Sequence, residues 1–223
     1  MRVLILIPVF NESKTITAQI QNLKNYGFQE ILVVDDGSTD QTGNLSIAAG
    51  AIVLRHVINR GAGAATYTGI CYAKKYDYDI VVTMDGDGQH DPQDVIRLLN
   101  AYNDTRASVI VGNRFMSGLN NVPRSRQFYN GLANLITFLF SGKWTHDSQS
   151  GFKLLDRQAL KVIDELMDGF EFCSEILIKA HLANLTVEEI PIKVYYTKES
   201  MTKGQSLWNG LKTFYKLLLW NRN

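Results

Sequence analysis

"AIVLRHVINRGAGAATYTGICYAKKYDYDIVVTMDGD", Ala51 to Asp87, is the stretch on which the fold turns. Its opening, Ala51 to His56, is β-branched and apolar and reads as a strand. Asn59 to Ala65 form a glycine-rich loop that runs into a helix, and Val81 to Met84 form a second buried strand. Strand, helix and strand in succession make a parallel βαβ crossover. The second strand then ends in Asp85, Asp87 and Asp91, with Gln89 and His90 between them. Like charges so crowded raise one another's pKa and cost stability unless something compensates. A divalent cation is one answer, because Asp85, Asp87 and Gln89 offer hard oxygen ligands that suit Mg²⁺ or Mn²⁺. The other answer is an Asp/Gly turn capping a helix that starts near Asp91-Pro92.

The same alternation extends in both directions. "RVLILIPVF" is a strand, and Ser13 to Tyr26 a helix with Ile16, Ile20 and Leu23 on one face. "EILVVDDGSTD" is a strand ending at Asp35-Asp36, followed by a short helix from Thr42 to Ala49. Downstream, "SVIVGNRF" is a strand ending at Arg114, "YNGLANLITFLF" an apolar helix, and "THDSQSGFKLLD" a loop running into a short strand. "FEFCSEILIKAHLA" is a helix and "TVEEIPIKVYY" an edge strand. This pattern predicts one continuous α/β domain, a mostly parallel sheet with helices on both faces. Such a sheet binds ligands at the carboxyl ends of its strands. Asn11-Glu12, Asp35-Asp36, Asn59-Arg60-Gly61 and Asp85-Gly86-Asp87 all fall there, which marks a functional site.

Composition narrows the class. The 223 residues are 45% hydrophobic, ample for a core, and 23 basic against 22 acidic residues give a net charge of +1. No global field points to nucleic acid. Cys71 and Cys173 have no metal, redox or disulfide spacing and read as buried packing residues, in keeping with a reducing cytosol. The N-terminal apolar run is broken by Pro8, Asn11 and Glu12 without a small-residue cleavage site, so it reads as a strand. No stretch reaches the ~20 apolar residues of a membrane span.

"PVFNE" (8–12), "VVDDGSTD" (33–40), "NRGAGAA" (59–65), "DGDGQHDP" (85–92), "GNRF" (112–115) and "DSQSGFKLL" (147–155) resemble, in order and spacing, the inverting family-two glycosyltransferases. The likeness is nearest to dolichol-phosphate-mannose-synthase-type and bacterial polyprenyl-phosphate enzymes and spans residues 3–206. It implies a GT-A fold, a nucleoside-diphosphate sugar (UDP or GDP) as donor, a polyprenyl phosphate as acceptor and a divalent metal. It divides the chain into a nucleotide-sugar and metal half (1–115), an acceptor half (116–206) and an amphipathic C-terminal segment (207–223).

Pro8 and Phe10 could wall a base pocket, with Glu12 accepting from base or ribose; a helix start capped by Asn11 or Ser13 is the plainer reading. Asp35-Asp36 suit a strand-to-helix turn, whereas the resemblance makes Asp36 a nucleobase contact. The glycine-rich loop lacks both the dinucleotide fingerprint and the P-loop lysine; its glycines permit close approach, so Asn59 and Gly61 are expected to wall the nucleotide. By the resemblance, Asp87 is the direct metal ligand, and Asp85 either joins it or faces ribose or sugar. His90 is expected outside the coordination sphere. Arg114 and Arg126 would hold the lipid phosphate, an Arg fork matching phosphate geometry. Arg124 is a solvated neighbour, and Asn130 stands where the family more often has Ser. Asp147 is the candidate general base if the acceptor is a hydroxyl, and otherwise orients the sugar or a loop; Glu175 faces the same alternatives.

Leu207, Leu211, Phe214, Tyr215 and Leu218 make one helical stripe, with Lys212 and Lys216 off it and Trp208 and Trp220 near its ends. That fits either a helix lying in a membrane interface or one packed on this domain or another subunit. "YNGLANLITFLF" is read first as core packing and second as another such surface. The expectation is a cytoplasmic, membrane-peripheral transferase serving cell-wall polysaccharide, with a small membrane protein or a second copy as possible partner. The alternatives are extension of a cell-surface saccharide at a hydroxyl and a non-catalytic nucleotide-sugar-binding module.

Overall fold

The computed structural model describes residues 1–116, 122 and 124–194. The expected tail helix lies outside the described residues. Strands β1 (Val3–Val9), β2 (Ile31–Asp35), β3 (Ile52–Arg55) and β4 (Ile80–Thr83) alternate with helices α1 (Ile16–Asn25), α2 (Thr42–Ala48) and α3 (Ala62–Lys75). Helix α4 (Pro92–Thr105), strand β5 (Val109–Asn113), helix α5 (Arg124–Ser141) and strand β6 (Lys153–Asp156) follow. A short α6 (Arg157–Val162), α7 (Phe172–Leu182) and β7 (Val187–Pro191) complete the described chain. The sheet has seven strands in the order β3-β2-β1-β4-β6-β5-β7. All ladders are parallel except those of β6, which runs antiparallel between β4 and β5.

Alternation along each strand feeds two cores. Leu4 and Leu6 join Leu32, Val34 and Val81 beneath α3, α6 and α7. Ile5, Ile7 and Val9 join Ile31, Val33, Ile80 and Val82 beneath α1 and α4. These strands are apolar on both faces because both faces are covered by helices. β1 pairs with β2 on one side and β4 on the other, so the crevice between the ends of β1 and β4 is the topological switch point. Residues 8–12 and 85–90 both leave strands at that crevice.

Three sequence expectations change. Cys71 is exposed and only Cys173 is buried, because Cys71 lies on the outer face of α3. The N-cap of α1 is Thr15; Asn11 instead accepts from Thr39 N–H at 2.9 Å, and Ser13 N–H donates to Asp40 at 3.2 Å. Helix α5 buries Ala133, Asn134, Ile136 and Thr137 but leaves Phe128, Leu135, Phe138 and Leu139 exposed, so it is only half a core helix. The expected turn at Asp91 is present: its carboxylate caps α4 by accepting from Gln93 N–H at 2.9 Å, with Pro92 in the first turn.

The glycines of residues 61–65 have a structural task. Gly63 N–H donates to the Asp168 carbonyl at 2.8 Å, and a methyl group at position 63 would collide with the Met167 carbonyl. Gly63→Ala is therefore expected to destabilise the fold by about 1–3 kcal/mol through overpacking. Gly131, mid-helix in α5 with open space around it, is the control: Gly131→Ala should be neutral or stabilising by roughly 0.5–1 kcal/mol. Denaturant unfolding of the two variants checks this, and the reverse ranking would contradict the packing described.

Candidate active site

The β4 end is built around Asp85 and Asp87. The loop is held from below: Gln19 Nε2 donates to the Asp85 carbonyl at 2.7 Å, and Thr15 Oγ1 donates to the Gly86 carbonyl at 2.9 Å. Gly151, from the loop before β6, lies so close to the Asp85 carboxylate that any side chain there would strike it. This explains the glycine in "DSQSGF" at the site's floor. His90, 7% exposed, stacks on Phe152 and points Nε2 at Asp85 Oδ2, 3.2 Å away. Burial works to raise the Asp85 pKa, yet the hydrogen bond and charge of His90, with the Arg114 and Lys153 cations, outweigh it and hold the carboxyl below its ordinary value.

Asp87 goes the other way. Burial first, then the negative charges of Asp85 and Glu12, push its pKa up against the pull of His90 and the Gln89 N–H. Gln89 N–H donates to Asp87 Oδ1 at 3.0 Å, and its side-chain amide donates to Oδ2. Two carboxylates thus share one strand end with insufficient cationic compensation at Asp87, the electrostatic condition that a bound cation relieves. Among the described residues no group of three or more His, Cys, Asp or Glu is placed to hold a metal by itself. A cation held here would take its remaining ligands from water or from a substrate's phosphates, which is the habit of Mg²⁺-type sites. Asp85, Asp87 and the Gln89 amide fit such a partial sphere.

The neighbouring strand ends are more engaged than the sequence suggests. Phe10 is 43% exposed at the mouth of the crevice, and Pro8 and Glu12 are half-buried. Glu12 Oε2 accepts from Thr15 Oγ1 at 3.3 Å, and its N–H donates to Thr42 Oγ1 at 2.8 Å. Asp36, 2% exposed, accepts from Arg60 N–H at 3.0 Å, from Gly61 N–H at 2.6 Å, and pairs with His56 Nδ1 at 2.6 Å. In this arrangement Asp36 is a tie for the glycine-rich loop. Asn59 is exposed on that loop, and its backbone lies directly over Gly37, whose φ of +75° and close neighbours leave no room for a side chain.

At the β5 end, Arg114 and Asp147 form a two-pronged ion pair. Arg114 donates from Nε at 2.8 Å, from Nη2 at 2.7 Å and from its backbone N–H at 2.9 Å. Asp147 is 0% exposed and Arg114 18%. Filled by three donors and shut from solvent, Asp147 is not placed as a general base; of its two expected roles, orientation is the one its geometry suits. Glu175 is likewise engaged, accepting from Met167 N–H at 2.7 Å and pairing with Lys179 at 3.2 Å. Burial raises its pKa all the same.

Asn130 is held by the loop that follows α5. Its amide donates to the His146 carbonyl at 2.9 Å, and its oxygen accepts from Gln149 N–H at 3.4 Å. Asn134, one turn on, donates to the same carbonyl at 2.7 Å and accepts from Ser148 N–H at 3.0 Å. The α5 face that carries these asparagines, and Arg126 one turn earlier, thereby grips the loop that holds Asp147. Arg126 is half-buried there, and the Arg124 side chain lies outside the described residues.

Sequence reasoning passed over Lys153, Asn134, His56 and Glu189. Lys153 is 1% exposed on β6, with its ammonium donating to the Ser150 carbonyl. Burial pushes its pKa down, against the attraction of Asp147 and Asp85. A lysine in the fully buried "FKLL" run was the available signal, since a buried cation needs acids nearby.

The seven-stranded, mostly parallel sheet thus carries a carboxylate pair, Asp85 and Asp87, at its switch point and the Arg114–Asp147 ion pair at the end of β5. Residues 4–164 match the family described as Glycosyl transferase family 2, and the chain belongs to that family. It is 35% identical, over 96% of its length and 94% of the relative's, to a UDP-N-acetylglucosamine–dolichyl-phosphate N-acetylglucosaminyltransferase of Methanococcus voltae. It is 31% identical, over 98% of its length and 86% of the relative's, to a polyprenol monophosphomannose synthase of Mycolicibacterium smegmatis. In fold it is similar to glucosyl-3-phosphoglycerate synthase of Mycobacterium tuberculosis, solved with Mn²⁺, UDP and glucosyl-3-phosphoglycerate. The TM-score is 0.77 and the identity 19%, over 98% of this chain and 78% of that one. The chain is a glycosyltransferase related to dolichyl- and polyprenyl-phosphate glycosyltransferases.

Proposed function

We propose that the protein transfers a sugar from a nucleoside diphosphate, UDP or GDP, to a polyprenyl phosphate, with inversion and with Mg²⁺ or Mn²⁺. Residues 1–115 take the donor: Pro8, Phe10 and Glu12 face the base and ribose, and Asn59 and Gly61 wall the far side. Asp36 reaches the base by exchanging one of its loop bonds. Asp85, Asp87 and Gln89 hold the cation, which supplies Lewis-acid neutralisation of the diphosphate. Residues 116–206 take the acceptor. Arg114, oriented by Asp147, and Arg126 hold the acceptor phosphate so that one of its oxygens faces the anomeric carbon. The new bond joins that oxygen to the carbon as the carbon–oxygen bond to the diphosphate breaks.

The observation that carries the choice of acceptor is the state of the acids. Asp147 and Glu175, the two carboxylates a hydroxyl acceptor would look to as base, are both occupied and buried. A phosphate acceptor is already ionised near neutral pH and needs no strong base. The exposed face of α5, with Phe128, Leu135 and Leu139 on the helix that carries Arg126, supports an isoprenoid rather than a saccharide. Curated relatives named for dolichyl and polyprenol substrates support the same choice. Among the described residues no helix is long and apolar enough to cross a membrane. The reading places the enzyme at the cytoplasmic membrane surface by the exposed apolar face of α5, alone or with a membrane partner or second copy.

The test is incubation with a panel of UDP- and GDP-sugars, Mn²⁺ and either a short polyprenyl phosphate or an oligosaccharide, with product masses as the readout. A glycosylated lipid phosphate is the expected product. Glycosylation of the oligosaccharide alone would overturn the acceptor assignment.

A further inference from the structure

Glu189 belongs to no motif and stands on the edge strand β7, yet its carboxylate ties together the two segments that present Arg114. Oε1 accepts from Asn113 Nδ2 at 3.1 Å, His146 N–H at 3.1 Å and Asp147 N–H at 3.0 Å. Oε2 meets His146 Nδ1 at 2.7 Å and His146 N–H at 3.0 Å. Asn113 is the residue before Arg114, and its own oxygen accepts from Phe115 and Met116 N–H at 2.7 and 3.1 Å, folding the chain around Arg114. Asp147 is the partner of the Arg114 guanidinium. The parallel register of β5 on β7 sets Glu189 opposite Val111, two residues along the strand from Asn113 and on the same face of the sheet. One carboxylate therefore pins the residue beside Arg114 and the backbone of its counter-ion.

We propose that Glu189 is a positioning residue for the acceptor phosphate, acting through Asn113 and Asp147 to fix the direction in which Arg114 is presented; this rests on the acceptor reading above. Glu189 itself touches no substrate. Asn113 and Asp147 are both 0% exposed, so removing the carboxylate strands their N–H groups without water, and the loop must shift to satisfy them. Arg114 moves with the loop. Misplacement of a binding group by about 1 Å costs on the order of a hundredfold in turnover.

Glu189→Ala is expected to raise the acceptor KM by roughly ten- to a hundredfold while leaving the donor KM unchanged. Glu189→Gln keeps the length and one carbonyl oxygen for Asp147 and Asn113, with its amide turned to the His146 ring, and should restore most acceptor use. A second readout is independent of any acceptor: the Arg114 Nε–H resonance, assigned by its loss in Arg114→Lys. Bonded to buried Asp147, it should exchange slowly in the native protein and in Glu189→Gln and rapidly in Glu189→Ala. An Ala variant with native acceptor KM and a protected Arg114 resonance overturns the proposal, as does an equal rise in both KM values. If the native protein uses no prenyl phosphate, the acceptor reading fails and the resonance alone decides the role of Glu189. If Glu189→Ala does not fold, Glu189→Asp, which withdraws the carboxylate by one methylene, is read against the same outcomes.

Discussion

Asp87→Ala is expected to lower sugar transfer by about a thousandfold, close to 4 kcal/mol of barrier, and excess EDTA should silence the native protein to a similar degree. The fold should not suffer. Asp87 sits in an environment that opposes its charge, through burial and through Asp85 and Glu12. Replacing it removes a repulsion, so the variant is expected to melt at or above the native temperature, the usual trade between stability and an active-site charge. A variant that lost activity in step with its melting temperature would show Asp87 to be scaffold. Full activity in EDTA would remove the metal from the account.

Arg114→Ala carries the largest expected stability effect. It leaves Asp147, 0% exposed, as a buried carboxylate without its two-pronged partner, and breaking a buried pair from one side costs about 3–5 kcal/mol. The double variant Arg114→Ala/Asp147→Asn removes both charges. It should recover most of the lost stability and none of the acceptor use, because the phosphate-binding guanidinium is still missing. Denaturant unfolding beside transfer assays separates the two roles. Recovery of both together would mean that Arg114 serves the fold alone.

The first half of the chain was legible because parallel βαβ units announce themselves locally. Apolar runs such as "ILVV" and "IVVT" end in polar clusters, and those clusters mark the strand ends where ligands bind. Asp85, Asp87 and Arg114 could be placed on those ends from the sequence alone. What those side chains already hold could not. Asp36 is engaged by His56, Arg60 and Gly61, Asn130 by the 146–149 loop, and Asp147 by Arg114 and Glu189, all partners far along the chain. Sequence-distant bonds leave no periodic trace.

The antiparallel β6 was hidden for a similar reason. "KLLD" reads as a strand, but its insertion between β4 and β5 is set by which edges remain unpaired. That insertion brings Gly151 against Asp85 and buries Lys153 among the acids, so the second-half motif completes the first-half site. Glu189 was invisible because an acid on an edge strand usually faces solvent. The exposed side of α5 was read first as core and only second as a surface because its residues are apolar at every turn, and periodicity alone does not say which faces are covered.

The central claim is that an oxygen of a lipid phosphate replaces a nucleoside diphosphate at the sugar's anomeric carbon. Carrying out the reaction with a short polyprenyl phosphate labelled with ¹⁸O on its phosphate, and following both products by mass spectrometry, tests it most directly. The account predicts that the label bridges the sugar carbon and the lipid phosphorus, with unlabelled nucleoside diphosphate released. Release of nucleoside monophosphate, or a sugar product without the label at its anomeric carbon, would contradict it.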